Sequence, residues 1–182
     1  KIVALASGGN DTVTAIKQGR EFGLRQSGQR MTSLLTFITD INALGLKDMQ
    51  GLQFLVPFYW DMDDKTRVFA KRFFKRMNKM PGEAQSGVYS GVLHYLNAVK
   101  AAGTKDQAKV LEKMREMPVD DMFARGGKLL PNGRMIHDMY LVEVKSPEES
   151  KYPWDYYKVL ATIPAETAFR KLSETTCPLV KK

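Results

Sequence analysis

The period of apolar and polar positions changes several times along the 182-residue chain, and each change predicts an element. Residues 2–6, Ile-Val-Ala-Leu-Ala, are a continuous apolar run that reads as a buried strand. Two glycines follow. Val13, Ile16 and Phe22 then recur at helical spacing over residues 11–22, with Gly23 as a stop. Met31 to Phe37 predicts a second strand, with Leu34 and Leu35 inside it. Thr39–Asp40 can cap a short helix through Leu46, with Gly45 near its end. Leu52 to Val56 predicts a third strand. Strand and helix patterns in alternation predict a parallel sheet with helices packed on it.

Pro57-Phe58-Tyr59-Trp60-Asp61 breaks that rhythm. Asp63–Asp64 opens a helix to about Met80, with its acids at the positive end of the dipole. Pro81–Gly82 separates it from a helix over Glu83 to Ala102, where Val88, Val92, Tyr95, Leu96 and Val99 make one stripe. Its small Gly87, Ser90 and Gly91 allow close approach by a neighbour. Thr104 to Met117 is a third helix, stopped by Pro118. Residues 121–146 alternate like strands around Pro131-Asn132-Gly133, a strong short-range hairpin signal, and Tyr140, Val142 and Val144 share a face. A polar linker at 147–153, a last strand over Tyr156 to Ile163 and a short helix over Ala165 to Ser173 complete the reading. Three blocks result: strands alternating with helices, then helices, then antiparallel strands. This order fits a chain that leaves one α/β lobe, builds part of another, and returns.

Composition narrows the class. The chain is 43% hydrophobic and 26% charged, an ordinary globular balance for one domain or two small lobes. No stretch approaches the roughly 20 apolar residues of a membrane span. The chain begins with Lys1 and enters a strand at once, which predicts a processed chain or the C-terminal part of a longer one. The net charge is +8, which suits a polyanion partner or a basic protein that selects anionic small molecules. Lys65, Arg67, Lys71, Arg72, Lys75, Arg76 and Lys79 mostly share one helix face opposite Phe69, Phe73 and Met80. That is the default solvated side of an amphipathic helix. It lacks the interleaved exposed aromatics of a single-strand groove, and no groove-reading motif is present, so nucleic acid is not an expected partner. Cys177 is the one cysteine of the chain, so an internal disulfide is excluded.

The candidate chemistry starts at Ser7-Gly8-Gly9-Asn10-Asp11-Thr12. A glycine turn entering a helix offers backbone N–H groups and a positive dipole end to an anion. The pattern comes close to the strand, Ser-Gly-Gly-x-Asp, helix signature of ATP pyrophosphatases, and an adenylating enzyme fragment is one reading of it. A tight strand-to-helix turn with Asn10 or Asp11 as cap is the plainer reading, and the same geometry accepts a carboxylate. Asp61, Asp63 and Asp64 cluster without the glycine and glutamate of a calcium loop. His94 and His137 stand far apart with no Cys/His pattern and read as structural, one inside a helix and the other within a strand. No Gly-x-Ser-x-Gly elbow or Cys–His pairing is present, so neither a catalytic constellation nor a metal or cofactor is expected.

Four stretches in order carry a family resemblance: ALASGGNDTVTAIKQGREFGL, MQGLQFLVPFYWDMDDKTRVFAKRF, MPGEAQSGVYSGVLHYLNAVKAAGTKD and LLPNGRMIHDMYLVEVKSPEE. Together they resemble the C-terminal half of type I periplasmic solute-binding proteins of the branched-chain amino acid (Leu/Ile/Val) transport class. The resemblance implies an α/β fold with parts of two Rossmann-like lobes joined at a hinge, a three-layer αβα arrangement. It assigns residues 1–56 to the second lobe and 57–140 to the returning part of the first. Residues 141–182 return to the second lobe. It implies a non-catalytic, periplasmic component of an ABC importer that delivers solute to permease subunits in the inner membrane. The signal peptide and the first lobe's opening half would lie upstream. A receptor-like sensing module on the same fold fits as well, and severed lobes would expose apolar surface and self-associate. The implied ligand-binding residues are Ser7, Gly8, Gly9 and Asn10 on one turn, Thr36 and Phe37 on the next, and Tyr59 and Trp60 near a crossover. Amino-acid binders of this class place a carboxylate near the second turn to pair with the ligand ammonium. Here Thr36 and Phe37 stand there, with Asp40 the nearest acid. An unpaired buried ammonium is costly, so the departure favours an aromatic or aliphatic carboxylate over a plain amino acid.

Overall fold

The computed structural model describes residues 1–178 and 180. Residues 179, 181 and 182, in the segment expected to return to the second lobe, lie outside the described residues. In chain order the elements are β1 (Ile2–Leu5), α1 (Asn10–Glu21), β2 (Arg30–Ser33), α2 (Ile38–Leu44), α3 (Leu46–Met49), β3 (Gln53–Val56) and α4 (Asp64–Met77). They continue with α5 (Glu83–Ala102), α6 (Gln107–Glu116), β4 (Lys128–Leu129), β5 (Met135–Ile136), β6 (Met139–Val144), β7 (Tyr157–Ile163) and α7 (Ala165–Ala168). The chain forms two compact units: residues 1–83 with 140–162, and residues 84–139 with 163–182.

The first unit is built on a five-stranded mixed sheet of order β1-β2-β3-β6-β7. β1, β2 and β3 run parallel, and β6 pairs antiparallel to β3 with Phe54 opposite Val142 and Val56 opposite Tyr140. The pleat sends these residues to one face, where Phe54, Val56, Val142, Val144 and Tyr157 are all buried. Each such side chain contributes about 1.5–3 kcal/mol of burial. α1 buries Thr12, Ile16 and Gly19, spaced to share a helix face. Gly19 is small for a reason: a Cβ there would stand 2.6 Å from the Met31 sulfur on β2. α4 is capped by Asp63, whose Oδ1 accepts the Thr66 N–H at 2.9 Å. It buries Thr66, Phe69 and Ala70, while Lys71, Arg72, Lys75, Arg76 and Lys79 are exposed, the solvated face expected of them.

Three expectations need correction here. β1 is an edge strand rather than a buried one, with Ile2 73% exposed. β2 ends at Ser33, not Phe37, because Ser33 turns the chain: its Oγ accepts from the Thr36 hydroxyl at 2.7 Å and the Leu35 N–H at 3.3 Å. The helix expected through Leu46 breaks at Gly45, whose φ of +84° suits glycine, and a separate turn, α3, follows.

In the second unit α5 spans the expected residues, but its inward face is not the apolar stripe. Ser86, Ser90, His94 and Ala98 are buried, whereas Val88, Val92, Tyr95 and Leu96 are exposed. His94 is structural: its Nε2 pairs with the Met114 carbonyl at 2.8 Å. β4 and β5 form the hairpin around Pro131-Asn132-Gly133, with Gly133 at φ +81°. His137 follows β5 rather than lying within a strand. Its Nδ1 meets the Asp138 carbonyl at 2.8 Å, and its ring packs edge-on to Phe123 and Phe169. The helix expected over Ala165 to Ser173 is a four-residue α7 and a 3₁₀ turn at Leu172–Glu174, separated by extended residues. Cys177 is free among the described residues.

Candidate functional site

β1, β2 and β3 end at Leu5, Ser33 and Val56, so three loops leave the parallel part of the sheet at its carboxyl edge. The first two lie side by side. The Leu34 N–H donates to the Leu5 carbonyl at 3.0 Å, carrying the β1–β2 ladder into the loops. The Leu35 side chain covers Gly8, where a Cβ would stand 2.9 Å from Leu35 Cδ2. A side chain at this position would have to push the half-exposed Leu35 aside. The second glycine of the pair is required by its backbone: Gly9 has φ +58° and ψ −135°, a conformation that a Cβ disfavours. The Gly9 carbonyl accepts the Val13 N–H at 3.1 Å, but no side chain caps α1. The amide donors of its first turn therefore stand uncapped at the edge, beside Asn10.

The second loop is held from within. Thr36 is buried and spends its hydroxyl on Ser33. The Phe37 N–H donates to Asp40 Oδ2 at 2.9 Å, which starts α2 and occupies that carboxylate oxygen. Phe37 stays half-buried, and Leu34 and Leu35 are 71% and 49% exposed, giving the edge an apolar wall. Ser7–Asn10 and Thr36–Phe37 are thus brought together.

Tyr59 and Trp60, on the third loop, belong to an aromatic cluster instead. The Tyr59 hydroxyl and the Trp60 indole N–H both donate to the Trp154 carbonyl, at 3.3 and 2.9 Å. The Tyr59 ring lies 4.9 Å from the Tyr157 ring. Burial holds the Tyr59 phenol well above its ordinary range. A cavity of about 310 Å³ opens beside this cluster, lined by Tyr59, Asp61, Lys145, Tyr152, Asp155 and Tyr157 among others. The acids of the Pro57–Asp64 segment are committed to structure. Asp61 takes Arg67 at 2.6 Å and the Tyr152 hydroxyl, and Asp64 takes Arg67 at 3.0 Å. That bond to Asp61 pushes the Tyr152 phenol up to about 12. Among the described residues no group of three or more His, Cys, Asp or Glu is placed to hold a metal ion.

Two residues of this unit with perturbed polar groups escaped the sequence reading. Glu83, the first residue of α5, is half-buried, and its carboxyl is pushed up to about 7 by burial, with the Asp40 charge adding to the rise. The Tyr157 hydroxyl is fully buried with no hydrogen-bond partner among the described residues. Burial drives its pKa far up, and the charges of Glu83, Tyr59 and Asp40 push the same way. The sequence held one hint, an acid placed directly after the Pro81–Gly82 break, but nothing local ties it to Asp40.

A glycine turn, a polar turn and an apolar wall stand together at the carboxyl edge of parallel strands, the edge at which open α/β sheets take their ligands. The comparisons give the family. A family profile described as "Periplasmic binding protein" matches residues 1–151, and the chain belongs to that family. It is 49% identical to a periplasmic binding protein from Burkholderia mallei, covering 99% of this chain and 48% of that one at a TM-score of 0.92. It is 46% identical to a branched-chain amino acid ABC transporter periplasmic ligand-binding protein from Burkholderia xenovorans LB400, covering 98% and 48% at a TM-score of 0.91. A solute-binding protein of an ABC transporter from Rhodopseudomonas palustris BisB5, in complex with 3,4-dihydroxybenzoic acid, shares the fold at 20% identity, covering 90% and 45% at a TM-score of 0.71. The chain spans about half the length of these structures. No curated protein sequence matches it. Family and fold are those implied by the four sequence stretches.

Proposed function

We propose that the protein is the extracytoplasmic solute-binding component of an ABC importer. It captures a small organic solute between the two lobes of the whole protein and hands it to permease subunits in the inner membrane. Residues 1–56 and 141–182 are assigned to the second lobe, and 57–140 to the returning part of the first. Ligand-induced closure is a hinge motion between them. Ser7, Gly8, Gly9, Asn10, Thr36 and Phe37 are assigned to the solute, with Tyr59 and Trp60 as the aromatic support of the crossover. The kinship with the Burkholderia xenovorans protein supports this reading, as does the absence of any nucleophile–base pairing in the sequence.

The observation that carries the ligand assignment is the uncapped start of α1 beneath Gly8–Gly9, next to Leu34, Leu35 and Phe37. Backbone donors at a helix N-terminus suit a carboxylate, and the neighbouring apolar wall suits an aliphatic or aromatic body. The solute is therefore a small organic carboxylate: an aromatic or aliphatic acid, or an amino acid if a counter-charge for its ammonium exists elsewhere. The ATP-pyrophosphatase reading keeps only its six-residue turn. A thermal-melt screen on the longest natural form of the protein tests the assignment. The panel holds branched-chain amino acids, aromatic and aliphatic carboxylates, and Mg-ATP. A true ligand at about a thousand times its Kd adds roughly 4 kcal/mol. A shift with Mg-ATP alone would overturn the proposal.

A further inference from the structure

The amino edge of the first unit's sheet carries a concavity of its own, away from the solute edge. β2 and β3 begin at Arg30 and Gln53 and end at Ser33 and Val56, so roughly 10 Å of strand separates the two edges. A cavity of about 590 Å³ opens at the amino edge, between the end of α1, the turn before β2, α3 and Glu143 on β6. All of its lining belongs to one unit. Its volume is that of a small-molecule site, roughly 300–1,000 Å³. Buried Ile16, Met49 and Leu52 supply apolar lining, and Arg20, Arg25 and Arg30 supply charge. The two acids of the lining are already engaged. Asp48 is paired with Arg20, and Glu143 accepts the Gln53 amide at 2.7 Å and lies 3.8 Å from Lys158 Nζ. Arg25 has no ion pair among the described residues, only one long bond of 3.4 Å to the Gln50 carbonyl. Its planar guanidinium faces Gly51, where a Cβ would stand 3.4 Å from Nη1 and 3.5 Å from Cζ and Nη2. Arg30 is exposed, and its guanidinium makes no hydrogen bond or ion pair among the described residues. The side-chain amides of Gln26 and Gln29, in the same lining, are likewise unbonded there. The cavity therefore holds two arginines without a counter-charge, idle amide donors and an apolar surface.

We propose that this cavity is a second ligand site, which takes a small organic phosphate monoester. Arg25 and Arg30 hold the phosphate, and Ile16, Met49 and Leu52 meet the organic group. Guanidinium forks match oxyanions bidentately. A carboxylate carries one negative charge, whereas a phosphate monoester carries about two near neutral pH and offers three oxygens to two forks. It therefore neutralises both free arginines at once. Gln26 and Gln29 add neutral donors to the same oxygens. The site shares no residue with the solute edge, so it stands or falls apart from the solute-capture reading.

The test is calorimetric titration of the longest natural form of the protein with phenyl phosphate and, for comparison, benzoate. Titrations are run at fixed ionic strength and about pH 7.5, where the phosphate is a dianion. Saturable binding of phenyl phosphate is expected. Arg25→Ala and Arg30→Ala are each expected to weaken it about tenfold or more, the loss of a charge-assisted contact. Lys75→Ala removes the same charge from the exposed face of α4, outside the cavity, and is expected to change affinity by less than about twofold because salt screens it. Benzoate that binds at the solute edge is expected to be unmoved by either arginine variant. If an arginine variant fails to fold, the isotope-labelled methyl signals of Met31 and Met49, both in the lining, are expected to shift on titration of the parent with phenyl phosphate. No saturable binding, unshifted methionine signals, an equal loss in Lys75→Ala, or benzoate matching phenyl phosphate with the same dependence on Arg25 and Arg30 would overturn the proposal.

Discussion

Asp155→Ala is the substitution whose cost the structure defines most closely. The Asp155 side chain is 3% exposed and that of Lys145 is 20% exposed, with Nζ and Oδ1 at 2.5 Å. The other carboxylate oxygen accepts the Lys151 N–H at 3.0 Å. Truncation removes a charge-assisted bond, about 1.5–3 kcal/mol. The Lys151 amide lies on an exposed residue, where water replaces the lost acceptor at little cost. The ammonium stranded on Lys145 is the larger loss, since breaking one side of a buried pair costs about 3–5 kcal/mol. Its one-fifth exposure relieves part of that, so about 2–4 kcal/mol is expected overall. Urea unfolding followed by tryptophan fluorescence measures it, because both tryptophans of the chain, Trp60 and Trp154, are buried in the same unit as the pair. Adding Lys145→Met to Asp155→Ala removes the stranded charge and is expected to recover about 1 kcal/mol or more. A single variant within about 0.5 kcal/mol of the parent, or a double variant less stable than the single, would refute the reasoning.

Three further outcomes are expected. Glu83 sits near 4.5 in an unfolded chain and about 7 in the fold, so the folded state keeps the extra proton between those values. Unfolding free energy then falls as pH rises through that window, by on the order of 1–3 kcal/mol, and is flat above it. Urea midpoints across pH should show the fall in the solute-free parent and not in Glu83→Gln. Gly9→Val forces a β-branched residue into φ +58°, ψ −135°, and is expected to cost about 1–3 kcal/mol in urea unfolding; no change would mean that the turn is not held as described. The 182-residue chain is expected to self-associate through the exposed stripe of α5, so that Val92→Glu with Leu96→Glu lowers its apparent mass in sedimentation velocity. A monomeric parent, or a variant that associates as strongly, would refute this.

What was legible in the chain was what local chemistry dictates. The glycine turn at Gly8–Gly9, the Asp63 cap of α4 and the Asn132–Gly133 hairpin each need only neighbouring residues, and each stands where the pattern put it. The face of α5 was misread because periodicity reports which positions are apolar and not which of them another element covers. The pairing of β3 with β6, Gln53 opposite Glu143, joins residues far apart in the chain and leaves no local trace. The missing carboxylate at Thr36–Phe37 shows the same limit at the site. The nearest acid along the same loop is Asp40, and it is taken up by the α2 start. The Tyr157 ring stands against Phe54 and Tyr59 only because the sheet returns through β7, about a hundred residues further along the chain. A ligand's counter-charge is a property of a place in the fold, and any strand or helix ending there can supply it. A sequence compared loop by loop therefore reveals a departure from the family pattern, and only the fold can show what stands in for the missing group.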